Sequence, residues 1–255
     1  MESEAYHEMS RLEEHHWWYR GMRDITDVLL RSLFHDRHNL KILDAGCGTG
    51  RNMTALKQFG AVIGLDFSSL ALSYAQRSHI GSIVQASIEN LPYAADTFDL
   101  VTSFDVIYSA GVRDDVTAIR ELTRVTHPNG YVVMRVPALR ALRGEHDTFV
   151  HGIRRYTARE LQAKFRAGGL TPVRFTYANS FLLPVIFLAR KLQHHSVHGR
   201  SDVQVNPGGV ADLLYHLLRI ESWWIKQGGH FAAGVSLFGI GQKLAVSYPS
   251  DAHVE

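Results

Sequence analysis

Residues 44–50, Asp44-Ala45-Gly46-Cys47-Gly48-Thr49-Gly50, set three glycines within five positions directly behind an apolar run. Glycine lets a backbone turn sharply and come close to a ligand, and a helix opening there adds unpaired N–H donors. Asp66 closes the next apolar run about 20 residues after the glycines, the distance at which a carboxylate accepts two ribose hydroxyls. Together these groups describe a nucleoside-type ligand, and on their own they suit a nicotinamide dinucleotide as well as other adenosine compounds. A second chemical cluster lies in residues 146–156, where His146, Asp147, His151, Arg154, Arg155 and Tyr156 crowd together. His151 or His146 suits a general base, with Asp147 orienting it, and Asp147 and Arg155 suit acceptor contacts. Two histidines and one aspartate lack a clear third ligand, so no metal is expected. Tyr108, and Tyr177 with Asn179 and Ser180 at a strand exit, are further candidates for the acceptor pocket.

The elements that must position these residues follow from short apolar, β-branched runs at 41–45, 61–66, 82–86, 98–104 and 131–136, each followed by a helical pattern. Strands alternating with helices predict a mostly parallel, doubly wound sheet covered on both faces. A sixth strand is expected at 172–178 and a seventh at 235–244. Thr157 with Glu160 predicts a capping box, Gly168-Gly169 the end of that helix, and Pro128-Asn129-Gly130 a turn before the fifth strand. Parallel strands place ligands at their carboxyl edge, which is where the glycine turn, Tyr108 and the 146–156 cluster fall.

Two segments stand outside this core within a single expected domain. Ile25, Val28, Leu29 and Leu33 lie at helical spacing inside an N-terminal cap of residues 1–36, behind the aromatic cluster His16-Trp17-Trp18-Tyr19. Residues 181–230 are too long for a loop, and Val210, Leu213, Leu214, Leu217 and Leu218 mark an amphipathic helix there. That insertion is expected to act as a lid or to pair two subunits in a homodimer.

Composition bounds the function. The 255 residues carry 27 basic and 25 acidic side chains, a formal charge of +2, which offers no field for a nucleic-acid backbone. The single cysteine, Cys47, excludes an internal disulfide framework, and the N-terminus has no signal-peptide pattern. No apolar run approaches the roughly 20 residues of a membrane span. A cytoplasmic enzyme acting on a small molecule is the expectation.

Three further segments narrow the ligand: Ser87-Ile88-Glu89-Asn90-Leu91-Pro92-Tyr93, Thr97-Phe98-Asp99-Leu100-Val101, and Arg124-Val125-Thr126-His127-Pro128-Asn129-Gly130. With the glycine turn and Asp66, this series resembles the class I S-adenosylmethionine-dependent methyltransferases from about residue 41 to residue 136. No Tyr-x-x-x-Lys pair occurs, which disfavours a short-chain dehydrogenase. The resemblance implies S-adenosylmethionine as cofactor. Asp44 and the turn, Gly46, Cys47, Gly48 and Gly50, would face its methionine part and Asp66 its ribose. Phe67 would lie beside the adenine, with Ser68 close by, the Ile88 backbone reading the adenine edge and Ser87 near the exocyclic amine. Many relatives have Asp at the Ser87 position and His at the Ser109 position, so both contacts differ here. Residues 16–23 resemble a subgroup in which a helix folds over the cofactor. There Tyr19 and Phe104 would offer aromatic faces, and Arg20 or Arg23 would pair with the cofactor carboxylate. Methyl transfer to a small molecule is the reading. Its alternatives are a cofactor-cyclising or cofactor-cleaving enzyme of the same fold, and a non-catalytic binding protein.

Overall fold

Each of the expected apolar runs forms a strand in the computed structural model, which describes residues 10–35, 37–77, 81–142, 152–184 and 208–245. The strands are β1 (Leu40–Ala45), β2 (Gly60–Asp66), β3 (Ser82–Gln85), β4 (Phe98–Phe104), β5 (Thr126–Pro137), β6 (Thr171–Ala178) and β7 (Ser236–Gln242). They make one seven-stranded sheet in the order β3-β2-β1-β4-β5-β7-β6. β7 inserts antiparallel between β5 and β6, while the other pairings are parallel. The chain winds outward from β1 to β3, then crosses back to β4 on the other side of β1. That reversal opens a crevice beyond the carboxyl ends of β1 and β4.

The helices are α1 (Trp17–Phe34), α2 (Arg51–Leu56), α3 (Ser69–Arg77), α4 (Asp115–Val125), α5 (Ala158–Ala167) and α6 (Gly208–Lys226). Side-chain alternation along the strands feeds two cores. Leu43, Val101 and Val132 point to the face covered by α4 and α5, among Ile119, Leu122, Leu161 and Phe165. Ile42, Leu100 and Val133 point to the other, among Met22, Ile25, Leu29, Leu218 and Ile225 of α1 and α6. The capping box of α5 forms as the spacing predicts: Thr157 Oγ1 accepts from the Glu160 amide, and the Glu160 carboxylate accepts from the Thr157 amide at 2.9 Å.

Two elements differ from expectation. β5 begins at Thr126, so Pro128-Asn129-Gly130 lies within the strand rather than before it. The β4–β5 register shifts between Phe98 and Leu100, Asn129 takes φ 66°, and its amide donates to the Lys243 carbonyl at 2.7 Å. Pairing at the end of β7 therefore holds this segment in the ladder as a bulge. In α6 the expected apolar stripe is only partly covered: Val210 and Leu213 are 48% and 60% exposed, and the buried face runs through Leu218, Glu221, Ser222 and Ile225. α6 packs across α1. An added Cβ at Gly21 would meet Leu218 Cδ1 at 2.2 Å, Tyr215 Oη donates to Asp24 at 2.9 Å, and the Arg20 guanidinium stacks on the Tyr215 ring at 3.9 Å. Among the described residues no helix is long and apolar enough to cross a membrane.

Candidate active site

The glycine turn is fixed from both sides. The amides of Gly46 and Cys47 donate to the Leu65 carbonyl at 2.6 and 2.9 Å, tying the end of β1 to β2. Gly46, Gly48 and Gly50 have φ of 88°, 56° and 84°, backbone that L side chains rarely adopt. At Gly46 a Cβ would also meet Val106 Cγ2 at 2.2 Å. Asp66 stands opposite, where Oδ2 accepts from the Gly48 amide at 2.9 Å and Oδ1 from the Ser68 amide at 2.8 Å. Burial raises its pKa, and the Ser68, Gly48 and Phe67 amides pull it back. Each oxygen keeps a lone pair for a further donor.

Asp44, at the carboxyl end of β1, is buried, and Oδ1 accepts from Thr102 Oγ1 of β4 at 2.8 Å. Its Oδ2 is buried with no hydrogen-bond partner among the described residues. Burial pushes its pKa up to about 7, against the Thr102 bond, and the Asp66 charge pushes the same way. Burial likewise raises the Cys47 thiol, so Cys47 serves as packing rather than as a thiolate.

The loop after β3 is pinned from a distance. Arg124 donates to the carbonyls of Tyr93 and Leu91 at 2.8 and 3.0 Å, while Glu121 accepts from the Leu91 amide at 2.9 Å. This clamp ties the Ser87–Tyr93 segment to Arg124, the first residue of the Arg124–Gly130 segment. Ser87 Oγ accepts from the Glu89 amide at 3.2 Å, so the hydroxyl shapes the turn that presents Ile88, itself buried. Phe67 is 76% exposed, a surface for a flat ring to cover.

The N-terminal segment closes over the turn. Thr49 Oγ1 donates to the Glu13 carboxylate, Arg51 pairs with Glu14 at 3.1 Å, and Arg23 donates to the Glu13 carbonyl at 2.7 Å. Tyr19 lies edge-on to Trp18, with ring centroids 4.9 Å apart, and burial raises its phenol above the ordinary range. Arg20 turns instead to Tyr215 of α6. Beneath Trp18 sits a buried pair at the strand ends. Arg135 of β5 donates through Nε and Nη2 to Asp105 Oδ2 at 2.8 and 2.5 Å, and its guanidinium lies 4.9, 5.3 and 5.9 Å from the Trp18, Phe104 and Phe238 rings. Asp105 takes φ 57°, a conformation uncommon outside glycine and costly enough to mark functional positions.

The remaining candidates divide. Tyr108 is half-buried behind the β4 edge, its carbonyl accepting from the Ile153 and Arg154 amides at 2.9 and 3.2 Å. Tyr156 lies in the core, donating to Asp115 at 2.9 Å, and burial raises its phenol. Arg155 is buried and donates to the Ala138 carbonyl at 2.9 Å. Tyr177 Oη accepts from the Ala158 amide at 2.9 Å, at the start of α5. Asn179 is buried at φ 58°, and its Oδ1 has no partner among the described residues. His146, Asp147 and His151 lie outside the described residues. Thus Tyr19, Arg23, Asp44, the glycine turn, Asp66 and Phe104 meet at the crevice. Arg20, Arg155, Tyr156 and Tyr177 are engaged with helices or backbone elsewhere. Among the described residues no group of three or more His, Cys, Asp or Glu side chains could hold a metal.

A methyltransferase-domain family model matches residues 43–134, the span from β1 to β5 that carries these groups. Malonyl-[acyl-carrier protein] O-methyltransferase of Salmonella typhimurium is 34% identical over 224 residues, covering 84% of this chain and 85% of that protein. The chain belongs to the class I S-adenosylmethionine-dependent methyltransferases. The same-named enzyme of Buchnera aphidicola is 37% identical over 111 residues, a match that spans less than half of either protein, 43% of this chain and 44% of the relative. Phosphoethanolamine N-methyltransferase 2 of Haemonchus contortus, solved in complex with S-adenosyl-L-methionine, shares the fold at TM-score 0.57 and 16% identity over 86% of this chain and 52% of that one.

S-adenosylmethionine is the cofactor of this methyltransferase, and the residues present fit it. Asp44 Oδ2 is a buried acceptor in need of a donor, Asp66 has acceptor capacity to spare, and the Gly46 approach leaves no room for a side chain. The cofactor supplies a methyl group already activated on a sulfonium. The residues hidden from motif reasoning are Glu13, Thr102, Asp105 and Arg135. Arg135 had a visible signal, a cation in the middle of the apolar run 131–136.

Proposed function

We propose that this methyltransferase moves the cofactor's methyl group to an oxygen of a small acceptor that carries a carboxylate. The observation that supports it most is Arg135, a buried cation at the carboxyl edge that already binds one carboxylate, that of Asp105. An acceptor carboxylate arrives deprotonated, so the protein needs no base. Its tasks are to align the oxygen behind the methyl carbon and to exclude water, and alignment alone contributes roughly 7–11 kcal/mol. The oxygen's electron pair forms the new C–O bond as the C–S bond breaks, and sulfur keeps that bond's electrons. Trp18, Phe104 and Phe238 wall the guanidinium with aromatic surface, where charge interactions act in a low dielectric. The malonyl group in the name of the Salmonella typhimurium and Buchnera aphidicola relatives, malonyl-[acyl-carrier protein] O-methyltransferase, bears such a carboxylate.

In this reading the insertion and the N-terminal cap form one lid, because α6 rests on α1 through Gly21, Asp24 and Arg20. His146 and His151 remain candidates for a base toward a protonated acceptor, and Tyr108 for contact with it. Cytoplasmic placement, a homodimer through the exposed side of α6 and the exclusion of nucleic acid belong to the same proposal. The test supplies methyl-labelled S-adenosylmethionine with malonyl thioesters and a panel of carboxylic acids and phenols. Labelled ester with release of S-adenosylhomocysteine is the expected result. Release of methylthioadenosine, or labelled phenol ether with no ester, refutes it.

A further inference from the structure

Glu13 is the acid that no motif explains. Its carboxylate is half-buried over the glycine turn, where Thr49 Oγ1, a neutral donor, is its hydrogen-bond partner. Arg23, Arg51 and Arg135 lie within electrostatic reach and favour its charge, but their hydrogen bonds go to other groups: Arg23 donates to the Glu13 and Glu14 carbonyls at 2.7 and 3.4 Å, Arg51 pairs with the Glu14 carboxylate at 3.1 Å, and Arg135 holds Asp105. Within electrostatic reach lies Asp44, whose charge and that of Glu13 disfavour each other, and whose buried Oδ2 has no partner among the described residues. Asp66 already accepts one amide on each oxygen, from Gly48 and Ser68, and Tyr19 and Cys47 are kept neutral by burial.

A buried carboxylate and a half-buried one within electrostatic reach of each other repel, and a shared cation relieves both. An ammonium group has three donors and one charge, which answers both acids and the orphaned oxygen of Asp44. We infer that Glu13, carried over the turn by the N-terminal segment, is a second carboxylate ligand of the cofactor's α-ammonium group, and that it makes the site select for adenosine compounds carrying the amino-acid arm. This rests on S-adenosylmethionine being the cofactor. It assigns the cap a binding role distinct from the aromatic contacts of Trp18 and Tyr19. It also ties closure of the cap to the arrival of a charged arm, because without that arm Glu13 is a half-buried acid within electrostatic reach of another acid.

The test uses the full chain and Glu13→Gln, an isosteric change that keeps an acceptor for Thr49. Each is titrated with S-adenosylhomocysteine and with methylthioadenosine, which has the adenosine and thioether but lacks the amino-acid arm. The expected result is a Kd for S-adenosylhomocysteine raised about 10- to 100-fold in the variant, as for loss of a charge-assisted bond, with methylthioadenosine unchanged. Equal affinity for S-adenosylhomocysteine in both proteins overturns the inference. Tighter binding by the variant overturns it too, and makes Glu13 a competitor that occupies the site. Equal loss for both ligands reduces Glu13 to a structural role. Absence of S-adenosylhomocysteine binding by the unmodified chain refutes the cofactor assignment itself.

Discussion

Asp44→Asn separates the cost of the cofactor site from its use. Burial raises the Asp44 pKa in the folded protein from 3.8 to about 7. Between those values the folded chain holds a proton that the unfolded chain has released, so stability falls as pH rises through that window. With 1.36 kcal/mol per unit, the full penalty above pH 7 is on the order of 4 kcal/mol, a large part of the stability of a typical domain. Asparagine does not titrate and keeps an oxygen for Thr102 Oγ1, while its buried amide adds a cost that is independent of pH. The slope is therefore the readout, not the offset. Urea unfolding of both proteins from pH 5.0 to 7.5 should show the variant gaining about 2–3 kcal/mol relative to the unmodified chain. Asp66 and Glu13, also raised by burial, are present in both proteins and largely cancel in the difference. Saturating S-adenosylhomocysteine should reverse the gain, because the variant binds it more weakly. Parallel stability curves across that range would refute the claim that Asp44 is held as a strained acid.

Gly46→Ala meets both a φ of 88° and Val106 Cγ2 at 2.2 Å, so we expect about 2–4 kcal/mol of lost stability and loss of S-adenosylhomocysteine binding in calorimetry. Adding Val106→Ala should recover the steric share alone. Tyr156→Phe removes the bond to Asp115, which stays paired with Lys164 at 2.7 Å, so thermal unfolding should report about 1–2 kcal/mol of destabilisation. Single-turnover methyl transfer by that variant should match the unmodified chain, and a tenfold slower step at unchanged stability would return the phenol to the chemistry. Gly21→Leu drives a side chain into Leu218 and should loosen α1 from α6, lowering the melting temperature and weakening cofactor binding together. Unchanged values for both would show that the helix pair is not part of the cover.

Most of the sheet was legible because its signal is local. Buried parallel strands read as short apolar runs, and Thr157 with Glu160 lie three residues apart, so both can be found without knowing what packs on them. The cofactor turn was legible for the same reason, since Asp44 and the three glycines are contiguous and Asp66 ends the adjacent strand. What was hidden depends on pairs far apart in the chain. Gly21 reads as a neutral gap in α1 until Leu218 fills it, and Asp24 reads as a solvated charge until Tyr215 reaches it. Tyr156 shows the opposite error of locality. Its neighbours in sequence are ionisable, yet its hydroxyl goes to Asp115, 41 residues away, and to the core rather than to the crevice.

Arg135 carries the more general lesson. A strand covered on both faces has no polar side, so a guanidinium there must find a carboxylate, an aromatic wall or both, and this one has both. Asp105 supplies the carboxylate only by taking φ 57° one residue after β4 ends, where an ordinary continuation would point it elsewhere. Core stability alone gives no reason to keep such a pair, since packed apolar residues of similar volume serve at least as well. A charge at the carboxyl edge, beneath Trp18 and within electrostatic reach of Asp44, Glu13 and Tyr19, is therefore the feature on which the proposed recognition of an acceptor carboxylate rests.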